Sequence, residues 1–331
     1  MAFANPNYSA ILATTIENRS KKIADNVTNN NAVLAQLKKK GRIKTFYGGH
    51  KILQELSFAE NVNGGWYSGY DILPVGAADV ISAAEYNIKQ AAVPVIISGL
   101  EQLQNAGKEQ MIDLMESRLQ VAESTMANIV SAALYSDGTG AGGKELDGLD
   151  AALPIDPTAA PYGGIDGSAF AFWQNAVIDT TAAELANILS HFNAMWAKLV
   201  RGADRPDLIM ADATVWQAYI NSLQATQRFT NTNTADAGFM SIKFMDADVV
   251  LDGGLYFPSD VSGGDGAPAG TAFFLNTDYI HYRPHSARNM VPLSPNRRYS
   301  TNQDAEVAIL AFAGNLTCSG RAFQGRADFN G

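Results

Sequence analysis

The chain has 331 residues, 47% of them apolar, which suffices for a sizeable core and, on length, for two domains. It carries no apolar run of about eighteen residues, so nothing reads as a membrane span, and its start, MAFANPNYSA, lacks the basic-then-apolar order of a signal peptide. One cysteine, Cys318, excludes an internal disulfide framework, and a net charge of −9 argues against a dedicated nucleic-acid reader.

In chain order, residues 1–40 show a weak amphipathic pattern at Ile11, Leu12, Ile16, Ile23 and Val27, then at Leu34 and Leu37. Such a segment cannot build its own core and is expected to lie along another surface, a neighbouring copy included. Residues 1–50 hold eight Lys or Arg against two Asp or Glu, a net +6, leaving −15 for the remainder. A basic arm on an acidic body invites contact between copies, arm on body. The basic residues concerned are Arg19, Lys21, Lys22, Lys38, Lys39, Lys40, Arg42 and Lys44.

Residues 41–97 predict strands and turns, with turn signals at FYGG (46–49) and NGGW (63–66). A long hairpin with polar faces is not stable alone in water, so a partner surface is required, in the same chain or another. Tyr47, Trp66, Tyr67 and Tyr70 are the side chains expected at that contact. An alternating apolar strand then ends at Ile97.

A single helix over 98–136 follows. Ser98 and Glu101 have the spacing of a capping box. Met111, Met115, Leu119, Ala122, Met126, Ile129 and Ala133 form one buried stripe, while Glu101, Lys108, Glu116, Gln120, Glu123 and Asn128 face water. Gly138 is placed to close the helix in a left-handed conformation. Such a helix would be about 60 Å long, the spine of a flat, extended subunit.

The 137–167 stretch is soft, rich in Gly, Ala, Pro and Asp. A second helix is read from Thr181 and Glu184 as capping box, Leu185, Ile188, Leu189, Phe192, Met195 and Leu199 as stripe, and Gly202 as stop. PDLIMA (206–211) is a buried strand, and Asp212 caps a third helix through Trp216, Tyr219, Ile220 and Leu223. Strands resume from Ile242, with a turn at 252–254. The 258–270 stretch is an exposed loop, and further strands cover 271–282 and 306–312.

Motifs for chemistry are few. Gly138, Gly140, Gly143 and Lys144 imitate a phosphate loop, but such a loop needs a strand before it and a helix after it, and here a helix comes first. Glu145 stands where Ser or Thr would hold magnesium. His281 and His285 fall on one strand face some 13 Å apart, too far for one metal. Asp246 and Asp248 share a strand face, with no calcium-type loop after them. Neither G-x-S-x-G nor H-E-x-x-H occurs. Trp66, Trp173, Trp196 and Trp216 read as core or contact residues. No catalytic, cofactor-binding or metal-binding residue is assigned.

The order of these elements resembles the major capsid proteins of tailed bacteriophages. The resemblance is carried collinearly by YSGYDIL (67–73), AEYNIKQAAV (84–93), ISGLEQLQNAGKEQ (97–110), LYSDGTG (134–140), YGGID (162–166), FWQN (172–175), RPDLIMAD (205–212), FLNTDYI (274–280) and NQDAEVAIL (302–310), across about 41–325. It implies an α+β fold of the Hong Kong 97 type. The parts would be an N-terminal arm (1–40), an extended hairpin loop with its return strand (41–97), a peripheral domain with the spine helix (98–170) and an axial domain (171–283). The loop at 258–270 would lie near the axial tip, and C-terminal strands (284–331) would complete the peripheral domain. It also implies a non-enzymatic subunit of an icosahedral shell, assembled in the bacterial cytoplasm from pentamers and hexamers. Implied partners are a separate scaffolding protein, a portal, a decoration protein and packaged double-stranded DNA contacted without sequence preference. Some relatives cross-link a loop Lys to an Asn of a neighbouring copy. Lys44 and Lys51 lie in the loop region, with no matching Asn or Glu. Two rivals stand beside this reading: a nanocompartment (encapsulin-like) shell with the same fold, and a nucleotide-dependent enzyme using 138–144. An extracellular binding module is disfavoured by the missing signal.

Overall fold

The computed structural model describes residues 32–73, 75–104, 114–224, 241–252, 266–293, 298–299 and 304–330. In chain order these form α1 (Ala32–Lys39), β1 (Lys51–Ser57), β2 (Ile81–Asn87), β3 (Lys89–Ser98), α2 (Gly99–Gln104) and α3 (Leu114–Ala133). Next come β4 (Ala176–Asp179), α4 (Ile188–Leu199), β5 (Leu208–Ala211), α5 (Ala213–Gln224), β6 (Ser241–Phe244) and β7 (Ala247–Leu251). The chain closes with β8 (Thr271–Leu275), β9 (Ile280–Pro284), β10 (Val291–Pro292), β11 (Arg298–Tyr299), β12 (Ala305–Cys318) and β13 (Gly325–Asp328).

Uncharged runs such as LIMA and TAFFL suit strands covered on both faces. They become β5 and β8, the central pair of a six-stranded sheet ordered β4-β13-β8-β5-β7-β6. Alternation along each strand then sorts the side chains. Ile209, Ala211, Val249, Ala272, Phe274 and Ala327 pack with Phe192 and Met195 of α4 and Tyr219 of α5. Leu208, Met210, Val250, Phe273 and Leu275 belong to a second, larger core. Phe192 centres the helix side, with ring centroids 5.4 Å from Tyr219, 5.5 Å from Phe244 and 5.0 Å from Phe274. The last strand, β13, joins this sheet between β4 and β8, so the residues expected to complete the peripheral domain divide between two sheets.

The second sheet is organised by β12. Its first ten residues pair with β3, from Ala305↔Ser98 to Gly314↔Lys89, and its last five pair with β9. Helix α3 lies on this sheet, where Ala122 packs with Val95 and Ala308.

The helix expected over 98–136 is not one straight rod. The Ser98–Glu101 box forms: the Glu101 amide donates to Ser98 Oγ (3.3 Å) and the Ser98 amide to Glu101 Oε2 (3.1 Å). Yet Arg118 grips the same carboxylate with both terminal nitrogens (3.1 and 2.8 Å) and donates to Ile96 O (2.7 Å). Seventeen residues of straight helix would separate Glu101 from Arg118 by about 26 Å, so α2 and α3 cannot lie on one straight axis. Met111 lies outside the described residues. On α3, Ala122, Met126 and Ala133 are buried as expected, but Val130 is buried in place of Ile129, which is exposed, and Asn128 is buried rather than facing water. Steps of four and then three from Met126 reach Ala133 as well as three and then four, and packing selected the first. Gly138 has a positive φ of 78°, as expected, but sits five residues past Ala133 in a separate turn.

Two further local expectations are corrected. Thr181 makes no side-chain cap; residues Ala182–Asn187 form a 3₁₀ stretch and α4 begins at Ile188. Glu184 instead accepts from Asn187 Nδ2 (2.9 Å) and contacts His191. Asp246 is in the turn between β6 and β7, not on a strand with Asp248, and pairs with Arg205 (3.1 Å). The Asp212 cap holds, with the Thr214 amide donating to Oδ2 (3.1 Å), and the α4 stripe holds through Ile188, Phe192, Met195 and Leu199.

Candidate assembly surface

Strands β1 and β2 pair antiparallel from Lys51↔Asn87 to Ser57↔Ile81. Period-two alternation gives this hairpin one wet and one dry face. Ile52, Leu56, Ala84 and Tyr86 enter the larger core, while Lys51, Leu53, Glu55 and Glu85 face water, with Lys51 and Glu85 paired across the strands. The base is therefore held by its own subunit. Phe58 still packs on the larger core, 6.2 Å from Phe172, and past it the described residues of 59–80 contain no regular strand. Asn63 Nδ2 to Gly76 O (2.8 Å) ties the two limbs of this tip together.

The tip carries apolar side chains with no cover. Val62, Trp66, Tyr67, Tyr70, Ile72, Leu73 and Val75 are all exposed, Trp66 and Tyr70 as fully as in an extended chain. Trp66, Tyr67 and Tyr70 were expected at a contact; Val62, Ile72, Leu73 and Val75 were not, because they lack alternation and sit among turn residues. Contiguous exposed apolar groups of this kind mark interaction sites. The other tryptophans behave as core: Trp173 is buried with its indole donating to Tyr162 O (2.8 Å), and Trp196 and Trp216 pack on the smaller core.

The basic segment divides. Arg19, Lys21 and Lys22 lie outside the described residues. Lys38, Lys39, Lys44 and Tyr47 are exposed. Lys40 is bonded within the chain to the Asp207 carboxylate (2.5 Å) and its backbone oxygen (3.1 Å), and Arg42 pairs with Asp278. Val33 and Leu37 of α1 are buried in the larger core, and Ile43 and Phe46 bridge in parallel to β9 and His285. The end of the arm thus docks on its own subunit.

That bridging sets Arg42 and Lys44 beside His281 and Arg283. Burial together with the nearby Lys44, Arg42 and Arg283 charges pushes the His281 imidazole down to about 4, so it is neutral near pH 7. His285 meets Phe46 edge-on at 5.0 Å, and among the described residues no group of three His, Cys, Asp or Glu could hold a metal. Burial pushes the Cys318 thiol up to about 12, as for an inert core residue. The loop that imitates a phosphate cradle is a left-handed turn, with positive φ at Ala141, Gly142 and Gly143. The Gly143 and Lys144 amides are spent on Thr139 O and Gly140 O, and Glu145 accepts from Ser136 Oγ. No described helix is long and apolar enough to cross a membrane.

No family model and no curated protein matches the chain. Solved structures do. The cyanophage A-1(L) capsid asymmetric unit superposes with a TM-score of 0.69 at 14% identity, covering 95% of this chain and 97% of that one. The capsid of the native GTA particle gives 0.58 at 11% identity, over 99% and 100% of the two chains. The capsid of Myoviridae phage XM1 gives 0.55 at 12%, over 97% and 99%. Matches that run end to end through both chains fix the architecture, and the chain has the Hong Kong 97-type fold of tailed-phage major capsid proteins.

Proposed function

We propose that this chain is a major capsid subunit that assembles with copies of itself into an icosahedral shell around a phage genome. The observation that carries the proposal is the hairpin tip: an uncovered run of apolar side chains projecting from a body whose own cores are closed. A neighbouring copy is the surface that covers it. Burying two aromatic side chains of about 150–250 Å² each, at about 25 cal/mol/Å², contributes roughly 8–12 kcal/mol before the entropic cost of association is subtracted.

In this reading residues 1–40 are the arm, 41–97 the extended loop, and the six-stranded unit the axial domain. Lys38, Lys39, Lys44, Tyr47, Trp66, Tyr67 and Tyr70 meet neighbouring copies, as do Arg19, Lys21 and Lys22. Lys40 and Arg42 orient the arm from within the subunit. The role is structural, in the virion, after assembly from pentamers and hexamers in the host cytoplasm. Scaffolding, portal and decoration proteins and packaged double-stranded DNA are the further partners of such a shell.

Negative-stain microscopy of the expressed full chain tests the proposal. Shells, rings or capsomers are expected, and strictly monomeric particles under all assembly conditions would refute it. A copurifying enzyme cargo in place of DNA would assign the shell to a nanocompartment instead.

A further inference from the structure

Lys89, Asp147 and Asn315 meet where β3 begins, beside the glycine-rich turn and the bend of β12. Asn315 is fully buried, and its side-chain amide is gripped on both ends. Its Oδ1 accepts from two backbone amides, Asp147 N (3.0 Å) and Leu316 N (2.9 Å). Its Nδ2 donates to Asp147 Oδ2 (2.7 Å) and to Asn87 O (2.9 Å). The other oxygen of the same carboxylate, Oδ1, is 3.4 Å from Lys89 Nζ, whose side chain is only 12% exposed. Lys89 Nζ also donates to Gly143 O (2.7 Å). In register, Lys89 lies opposite Gly314, the neighbour of Asn315.

These are the parts of an acyl transfer. Two amides aimed at one carbonyl oxygen polarise it and receive developing negative charge. A carboxylate touching both the attacking and the leaving nitrogen can carry protons between them. An amine held on the carboxylate that also holds the Asn315 amide needs no diffusional encounter. We propose that Lys89 and Asn315 join in an intrachain isopeptide bond, with Asp147 as the catalytic proton carrier.

The step balances without an oxidant, a reductant or a co-reactant. Asp147 takes a proton from the Lys89 ammonium, and the freed Nζ attacks Cγ of Asn315, forming the new C–N bond. The oxyanion at Oδ1 rests on the Asp147 and Leu316 amides. The carboxyl delivers its proton to Nδ2 and takes a second one from Nζ. The Cγ–Nδ2 bond breaks, ammonia leaves and receives that proton as ammonium, and Asp147 returns to carboxylate. An open cavity of about 340 Å³, lined by Asn87, Ile88, Lys89, Gln90, Gly143 and Lys144, borders the site and gives ammonia an exit. Each chain reacts once, without turnover, and the bond lies within one subunit, outside the hairpin tip. The proposal is independent of the shell reading.

Intact-mass spectrometry of the folded, purified full chain, followed by peptide mapping, tests it. The expected mass is one ammonia (about 17 Da) below that of the sequence, with one branched peptide joining Lys89 to Asn315. Lys89→Arg keeps the positive charge beside Asp147 and is expected to restore the full mass. Three results would each overturn the proposal: wild-type chain at full sequence mass, the loss retained in Lys89→Arg, or the loss mapped elsewhere. Asn63–Gly64 and Asn330–Gly331 are the sites to compare, because succinimide formation there also expels ammonia.

Discussion

The six-stranded sheet and the β1–β2 hairpin are built from similar numbers of apolar side chains and use them in opposite ways. In the sheet, Phe273 and Phe274 are adjacent and both fully buried, one toward each core. In the hairpin, Ile52 and Tyr86 are buried at the base, while Trp66, Tyr70 and Ile72 stand in water at the tip. The sheet is complete within one chain. The hairpin is packed only at its base, and in the proposed function its remaining apolar surface is what association buries. Stability and assembly should therefore separate by region, and the mutations that follow test that separation.

The largest effect is expected at Phe273, whose ring lies tilted 6.1 Å from Tyr135 and under the Arg326 guanidinium at 5.5 Å. Phe273→Ala should cost about 3–5 kcal/mol, read by chemical denaturation of the unassembled subunit. The paired Trp66→Ala/Tyr70→Ala variant should keep stability within about 0.5 kcal/mol of the parent, yet lose most of its shell yield by sedimentation. If that double variant unfolded instead, the tip would belong to the subunit's own core and the comparison would fail. Glu101→Gln, which weakens both the capping box and the Arg118 clamp, should destabilise by about 1 kcal/mol, with the difference shrinking in high salt.

A further effect concerns pH. His281 faces Arg42, Lys44 and Arg283, and its folded pKa of about 4 lies below the ordinary value of 6.5. Between those values the unfolded chain binds a proton that the folded chain refuses. Stability is thus complete above about pH 6.5 and falls as pH drops toward 4. A decline of a few degrees in Tm over that window is expected, and His281→Gln should flatten it. An unchanged slope in the variant would locate the acid sensitivity elsewhere.

Much of this was legible because it is local. Ser98 and Glu101, Asp212 with its following helix, and the Ile188–Leu199 stripe depend on side chains within a turn or two of one another. The helix-then-glycines order was itself legible, because the glycines follow α3 in the chain. What escaped depended on distant partners. The expected stripe runs from Met111 to Ala133 behind a capping box at 98–101, and nothing in it records that Arg118 reaches back to Glu101 and Ile96. Thr181 and Glu184 have capping-box spacing, but His191 and Asn187 take the carboxylate. Leu34 and Leu37 looked too sparse for a core; the structure buries Leu37 together with Val33, in a core that includes strands far along the chain. The hairpin aromatics were singled out because aromatic residues among glycines are conspicuous, whereas Ile72, Leu73 and Val75, exposed beside them, obey no period.

The central claim is that another copy covers the hairpin tip. Hydroxyl-radical footprinting of free subunits and of assembled particles, read at Trp66 and Tyr70 by mass spectrometry, tests it most directly. Both side chains should be oxidised readily in the free subunit and at least several-fold more slowly after assembly, while buried Trp173 stays unreactive in both. Equal oxidation of Trp66 and Tyr70 in the two states would contradict the account.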